Sequence, residues 1–164
     1  MRWSLLGDTN VLVTAIERAR MASAGEPTVE GVNLDEMSDY LARTEAVFAV
    51  LFGSHARGTA DDSSDVDVAL RFPEGMDAHE RFRLRNRIDA HLQEYADGFV
   101  DVSEVGSLPT PVAHAALRDG IVLAGDEQTV ESYRERVKQD YEASADERER
   151  ERREFIDRLA RGDT

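Results

Sequence analysis

The chain reads as an α/β (α+β) domain, a small mixed β-sheet with helices packed on one side of it. Three observations predict this. An apolar run from Val47 to Phe52 breaks at Gly53-Ser54, as a buried strand ending in a turn does. Asp65-Val66-Asp67-Val68 then alternates acid with β-branched residue, the period of two that sends strand side chains to opposite faces. Phe99-Val100-Asp101-Val102-Ser103 reads as a further strand, separated from the second by a segment of helical periodicity.

Taken in order, Asp8, Thr9 and Asn10 can cap a first helix with Leu12, Ile16 and Ala19 at helical spacing, and Ser23 to Pro27 breaks it. A second helix begins at Asn33 or Asp35 and turns Leu34, Met37 and Leu41 to one face. Two short helices around a turn suggest a helix-turn-helix, but the stretch is acidic and lacks a basic recognition face, so the helices are expected beneath the sheet. The first strand covers about residues 46–52. A short helix near His55 to Gly58 follows its Gly-Ser turn, and the second strand runs from Val66 to Phe72, ended by Pro73-Glu74-Gly75. From about Asp77 to Tyr95 the spacing predicts a helix with Phe82, Leu84, Ile88, Leu92 and Tyr95 inward and Arg81, Arg83, Arg85 and Arg87 largely outward.

After the Phe99 to Ser103 strand, Pro109 to Arg118 reads as a short helix stopped at Gly120, and Ile121 to Gly125 as the last strand. The remainder is one or two helices. Val130, Tyr133, Val137 and Tyr141 form an apolar face that must bury against the domain or a partner. Ala145 to Glu154 is almost entirely charged, with Asp146/Arg150, Glu149/Arg153 and Glu154/Arg158 at i,i+4, and Phe155, Ile156 and Leu159 form a small docking patch. The organisation expected is an N-terminal helical extension over 1–44, a core over 45–125 and a C-terminal helical tail over 126–164.

The 164 residues suffice for one domain with a real core. No apolar run approaches the length of a bilayer, and the N-terminus lacks a basic region followed by a sustained apolar segment, so a soluble, cytoplasmic protein is expected. The absence of cysteine excludes disulfides and thiolate metal sites. Acids outnumber bases 34 to 20, for a net charge of −14, and Lys138 is the only lysine. Such a surface resembles those of halophilic proteins in a high-salt cytoplasm, where repulsion is screened within about 3 Å at 1 M salt. It argues against nucleic acid as a partner, since no basic stripe offers phosphate contacts. A nucleotide carried by Mg²⁺ escapes that objection.

Two carboxylates one strand repeat apart suit a divalent metal. D-x-D alone is a weak signal in an acidic chain, but here ten residues separate it from a Gly-Ser turn that ends an apolar strand. Gly53 allows close backbone approach to phosphate, while Ser54 offers a hydroxyl and an amide at the start of a short helix. Arg57 is a charge partner for a phosphate oxygen, and Ser64 supplies a second hydroxyl. Asp101 is costly in an apolar strand without a compensating positive group. If its strand pairs beside Asp65-Val66-Asp67, three carboxylates converge. Each piece has a plain structural reading too: a strand-ending turn, a solvated Asp61-Asp62-Ser63-Ser64 loop, the wet face of an edge strand. Their combination at one spacing favours chemistry. His79, His91 and His114 read as surface or helix-packing residues, and no Ser-His-Asp or cysteine nucleophile constellation is present.

Gly53-Ser54-His55-Ala56-Arg57-Gly58 followed by Ser64-Asp65-Val66-Asp67 resembles the signature of the DNA polymerase β-like nucleotidyltransferase superfamily, in particular its minimal nucleotidyltransferase (MNT) branch with the MntA-type antitoxins. Asp101 and Arg118-Asp119-Gly120-Ile121-Val122-Leu123 extend the resemblance over about residues 45–125, with His55 at a variable position of the motif. The resemblance implies a nucleotidyltransferase fold and transfer of AMP from ATP. Asp65, Asp67 and Asp101 would be catalytic and hold Mg²⁺, and Gly53, Ser54, Arg57 and Ser64 would bind the nucleotide. It further implies an antitoxin that adenylylates a tyrosine of a cognate HEPN ribonuclease toxin. Three alternatives stay open: an aminoglycoside-type small-molecule nucleotidyltransferase, an antitoxin acting by stoichiometric binding, and a DNA-binding regulator of its own operon.

Overall fold

The computed structural model of the protein describes residues 28–162. The expected first helix, with Leu12, Ile16 and Ala19, lies outside them. The described elements run α1 (Leu34–Ala42), β1 (Phe48–Phe52), α2 (Ser54–Arg57), β2 (Val66–Arg71), α3 (Ala78–Leu92), β3 (Val100–Glu104), α4 (Thr110–Asp119), β4 (Ile121–Gly125), α5 (Glu127–Ala143) and α6 (Ala145–Ala160). Short 3₁₀ turns at Gln93–Tyr95 and Val105–Ser107 follow α3 and β3. Caps start the longer helices where the sequence offers acceptors: the side chains of Asn33, Asp77 and Asp126 accept the N–H groups of Glu36, Glu80 and Thr129.

The four strands form one mixed sheet in the order β3-β2-β1-β4. β1 pairs antiparallel with both β2 and β4, and β2 pairs parallel with β3 through the α3 crossover. Helices cover both faces of this sheet, where the sequence predicts one. The reason lies in β1, whose Phe48, Ala49, Val50 and Leu51 are all buried, so that alternation gives it two apolar faces to cover. Ala49, Leu51, Val66, Val68, Leu70, Val100 and Val102 meet α1 through Met37 and Leu41, and α3 through Leu84, Ile88 and Leu92. On the other face Phe48, Val50 and Ala69 pack with Ala113 and Leu117 of α4 and Val130 and Val137 of α5. Arg134 Nε of α5 donates to the Leu117 carbonyl at 2.7 Å and ties those two helices together.

Phe82 departs from expectation. It is 53% exposed, because Leu84, Ile88 and Leu92 define the inward row and a residue two positions from that row lies about 200° round the helix. Arg81 is half-buried, pairing with Glu104 at 3.4 Å and donating to the Met76 carbonyl. On α5, Val130 and Val137 are buried and Tyr133 and Tyr141 half-buried, as the periodicity predicts. On α6, Glu149 pairs with Arg153 at 3.3 Å and with Arg152 at 3.0 Å, while Phe155, Ile156 and Leu159 stay at least half exposed. The free edge at β3 is partly closed by Gln93, whose amide accepts from Val100 N–H at 2.9 Å and donates to its carbonyl at 2.7 Å. No helix among the described residues is long and apolar enough to cross a membrane.

Candidate active site

The register of the sheet brings the acids together. Asp67 of β2 faces Phe52 of β1 on one side and Asp101 of β3 on the other, so all three side chains share one sheet face in one row. Asp101 lies on the edge strand and is exposed, whereas Asp67 is half-buried. Asp65 precedes the first residue of β2 by one, outside the ladder, and is exposed. Burial, then the like charges of Asp101 and Asp65, push the Asp67 carboxyl above the usual carboxylate range, and His55 and Arg57 pull the other way. Asp67 and Asp101, paired across adjoining strands, are neighbours whose like charges repel. Among the described residues, no three His, Cys, Asp or Glu side chains close on one point as a metal cage.

Gly53 ends β1 and caps α2 with φ +78° and ψ −156°, a backbone region essentially restricted to glycine. A Cβ there would collide with Asp67 Oδ2 and lie 3.3 Å from its Cγ. The glycine of the Gly-Ser turn thus makes room for an acid, since its bare Cα is the surface on which the Asp67 carboxylate rests. α2 is a single turn of four residues closed by Gly58 in the left-handed region, too short for a substantial helix dipole. What it offers is its backbone amides, the half-buried Ser54 and the exposed Arg57.

Ser64 is engaged locally: its Oγ accepts from Asp61 N–H at 3.1 Å and donates to Asp61 Oδ1 at 3.2 Å. Hydrogen bonds from Ser63, then from Ser64, hold the Asp61 carboxyl below its usual range, so the loop before Asp65 is a knotted turn. A cleft of about 300 Å³ opens between α2 and α4, lined by Phe52, Gly53, Ala56, Arg57, Val112 and Asp119 among others. Of the three histidines expected at the surface or in helix packing, His91 stacks on Tyr40 with centroids 4.5 Å apart and His114 on Tyr141 at 4.1 Å. The residue that sequence reasoning passed over is His55, whose Nδ1 lies 3.0 Å from the Asp65 carbonyl oxygen. Only the neighbourhood of the motif hinted at it.

Several solved structures share this fold. A chain of a toxin-antitoxin structure with AMP-PNP matches at 23% identity and TM-score 0.59, over 74% of this chain and 98% of that one. A chain of an MntA-HepT toxin-antitoxin matches at 21% and 0.55, over 75% and 97%. A chain from the complex of a tri-AMPylated Shewanella oneidensis HEPN toxin with its MNT antitoxin matches at 18% and 0.55, over 76% and 99%. No curated protein matches the sequence. The family profile described as "Polymerase beta, Nucleotidyltransferase" matches residues 35–129, more than half of the chain, from the second residue of α1 through β4 and into α5. With the glycine turn, the paired acids and the sheet that aligns them all inside that match, the chain belongs to the polymerase β nucleotidyltransferase family.

Proposed function

We propose that the protein transfers AMP from ATP to a hydroxyl of a protein partner, a tyrosine of a HEPN-type toxin, and so acts as the antitoxin of a toxin-antitoxin pair in the cytoplasm. The observation that carries this reading is the row Asp67–Asp101 on adjoining parallel strands, with Asp67 seated on the glycine of the phosphate turn. The partner and the nucleotide come from the fold likeness to antitoxin chains solved with a HEPN toxin and with AMP-PNP. Edge strand β3 leaves Asp101 open to an acceptor as large as a protein.

The donor set fits Mg²⁺. Its oxygens are hard, and Mg²⁺ is usually held by one or two carboxylates together with substrate phosphates and water rather than by a protein cage. Burial, then the like charges of Asp101 and Asp65, raise the Asp67 carboxyl, and the repulsion part is what a divalent cation would relieve. Asp65, Asp67 and Asp101 would hold it, and when bound it supplies charge neutralisation for the triphosphate and polarises the attacking oxygen. In the reaction the acceptor hydroxyl oxygen bonds to the α-phosphorus as the α-phosphorus bond to the bridging oxygen breaks, releasing pyrophosphate. The Asp101 carboxylate receives the hydroxyl proton. Gly53 and Ser54 offer backbone and hydroxyl donors to the leaving phosphates, Arg57 offers its guanidinium, and Ser64 contributes a hydroxyl if its turn with Asp61 opens.

The test is the intact mass of the candidate toxin after incubation with this protein, ATP and Mg²⁺ at high salt, beside the Asp65→Asn/Asp67→Asn variant. A gain of one or more AMP units that vanishes with the variant is expected. A stable complex without gain would point to stoichiometric neutralisation, and neither gain nor complex would point to a small-molecule acceptor.

A further inference from the structure

Asp65 is the one acid of the cluster that the ladder does not hold. β2 begins at Val66, paired with Val100, so the cross-strand bonds that place Asp67 opposite Asp101 stop short of it. The peptide unit joining Asp65 to Val66 is instead held from both sides. Its N–H, on Val66, donates to the Phe99 carbonyl at 2.8 Å, and its carbonyl oxygen, on Asp65, lies 3.0 Å from His55 Nδ1. A carbonyl oxygen can only accept, so Nδ1 carries the proton and, in the neutral ring, Nε2 is a bare acceptor. His55 sits on α2, next to Ser54 and two residues from the glycine that supports Asp67.

We propose that His55 is a positioning residue for Asp65. Its Nδ1–H fixes the peptide plane from which the Asp65 carboxylate projects, and so locks the start of β2 to the phosphate turn. The two ends of the motif, ten residues apart, then move as one body: Gly53 against Asp67 by contact, His55 against Asp65 by hydrogen bond. The consequence for catalysis rests on the nucleotidyl-transfer reading, whereas the hydrogen bond and the tautomer do not.

Two measurements test it. In the ¹⁵N-labelled protein at pH 8, long-range ¹H–¹⁵N correlations should show His55, assigned through its loss in His55→Ala, as the Nδ1–H tautomer. An Nε2–H tautomer overturns the proposal whatever the protein's activity. Mn²⁺ affinity, followed by electron paramagnetic resonance, should then fall about 10- to 100-fold in His55→Ala, the range for partners that orient metal ligands. His55→Asn, whose amide nitrogen takes the place of Nδ1, should recover most of the loss. His55→Gln, whose amide nitrogen matches Nε2, should not. Wild-type affinity in His55→Ala, or rescue by Gln as good as by Asn, overturns the assignment. Correct tautomer and affinities without AMP transfer by the wild type would instead sink the functional reading and leave His55 in its place.

Discussion

Gly53→Ala probes the contact on which the carboxylate row depends. The substitution has two separable effects. The backbone at φ +78° and ψ −156° lies where a residue with a Cβ is strained by about 1–3 kcal/mol. The new methyl would also fall inside the 3.0 Å that real Cβ atoms keep from other atoms, against Asp67 Oδ2, and the carboxylate must retreat by about 1 Å. For a chain of this length a loss of about 2 kcal/mol lowers Tm by roughly 4–8 °C. A displacement of about 1 Å at reacting groups costs on the order of 10²-fold in rate. Thermal melts and the rate of the proposed AMP transfer read the two effects separately. In an Asp67→Ala background the offending oxygen is gone and the remaining Cβ would sit 3.5 Å away, in ordinary contact, so Gly53→Ala should cost only its backbone strain there. Undiminished transfer by Gly53→Ala, or an equal Tm loss with and without the Asp67 carboxylate, refutes the reasoning.

Asp67→Asn should stabilise the metal-free protein at neutral pH. The folded state raises the Asp67 carboxyl, so the stability it contributes is full below the unfolded carboxylate range and is lost as pH rises through the folded value. Melts in EDTA from pH 4 to 8 should show the wild type losing ground to the variant with rising pH, and added Mg²⁺ should raise the Tm of the wild type alone. Gly120→Ala forces a Cβ onto the Ala116 carbonyl and Val50 Cγ1 and to 2.8 Å from the Leu51 carbonyl, where α4 meets β1; a loss of about 1–3 kcal/mol in denaturant titration is expected. With a net charge of −14, raising KCl from 0.1 to 2 M should raise Tm, and a fall would contradict a surface adapted to salt. Ile156→Ser on α6 should leave stability within about 0.5 kcal/mol, because its side chain is half exposed and outside both core clusters.

Much of the fold is legible along the chain because its signals are local. Alternation at Asp65 to Val68 and the run from Val47 to Phe52 locate two strands within a residue or two, and the caps at Asn33, Asp77 and Asp126 mark where helices begin. Phe82 is misread because an apolar residue near a helical stripe counts toward it in sequence, while 200° of rotation places it in solvent. The helices α4 and α5 are foreseen, but their place on the second sheet face is not, because periodicity reports that β1 is apolar and not which later segment returns to cover it.

The candidate site divides in the same way. The residue types and the ten-residue interval between the glycine turn and the first acids are properties of the sequence, and with the acid of the third strand they put forward Gly53, Ser54, Arg57, Ser64, Asp65, Asp67 and Asp101 as candidates. That Asp101 stands directly across from Asp67 depends on a parallel register reached only through the α3 crossover. That Asp67 rests on Gly53, and Asp65 hangs from His55, depends on two backbone segments meeting in space. Chemistry-bearing residues are chosen one at a time and can be read one at a time. Their distances, their mutual repulsion and the half-burial that shifts Asp67 are properties of pairs, and only the folded sheet brings those pairs into being.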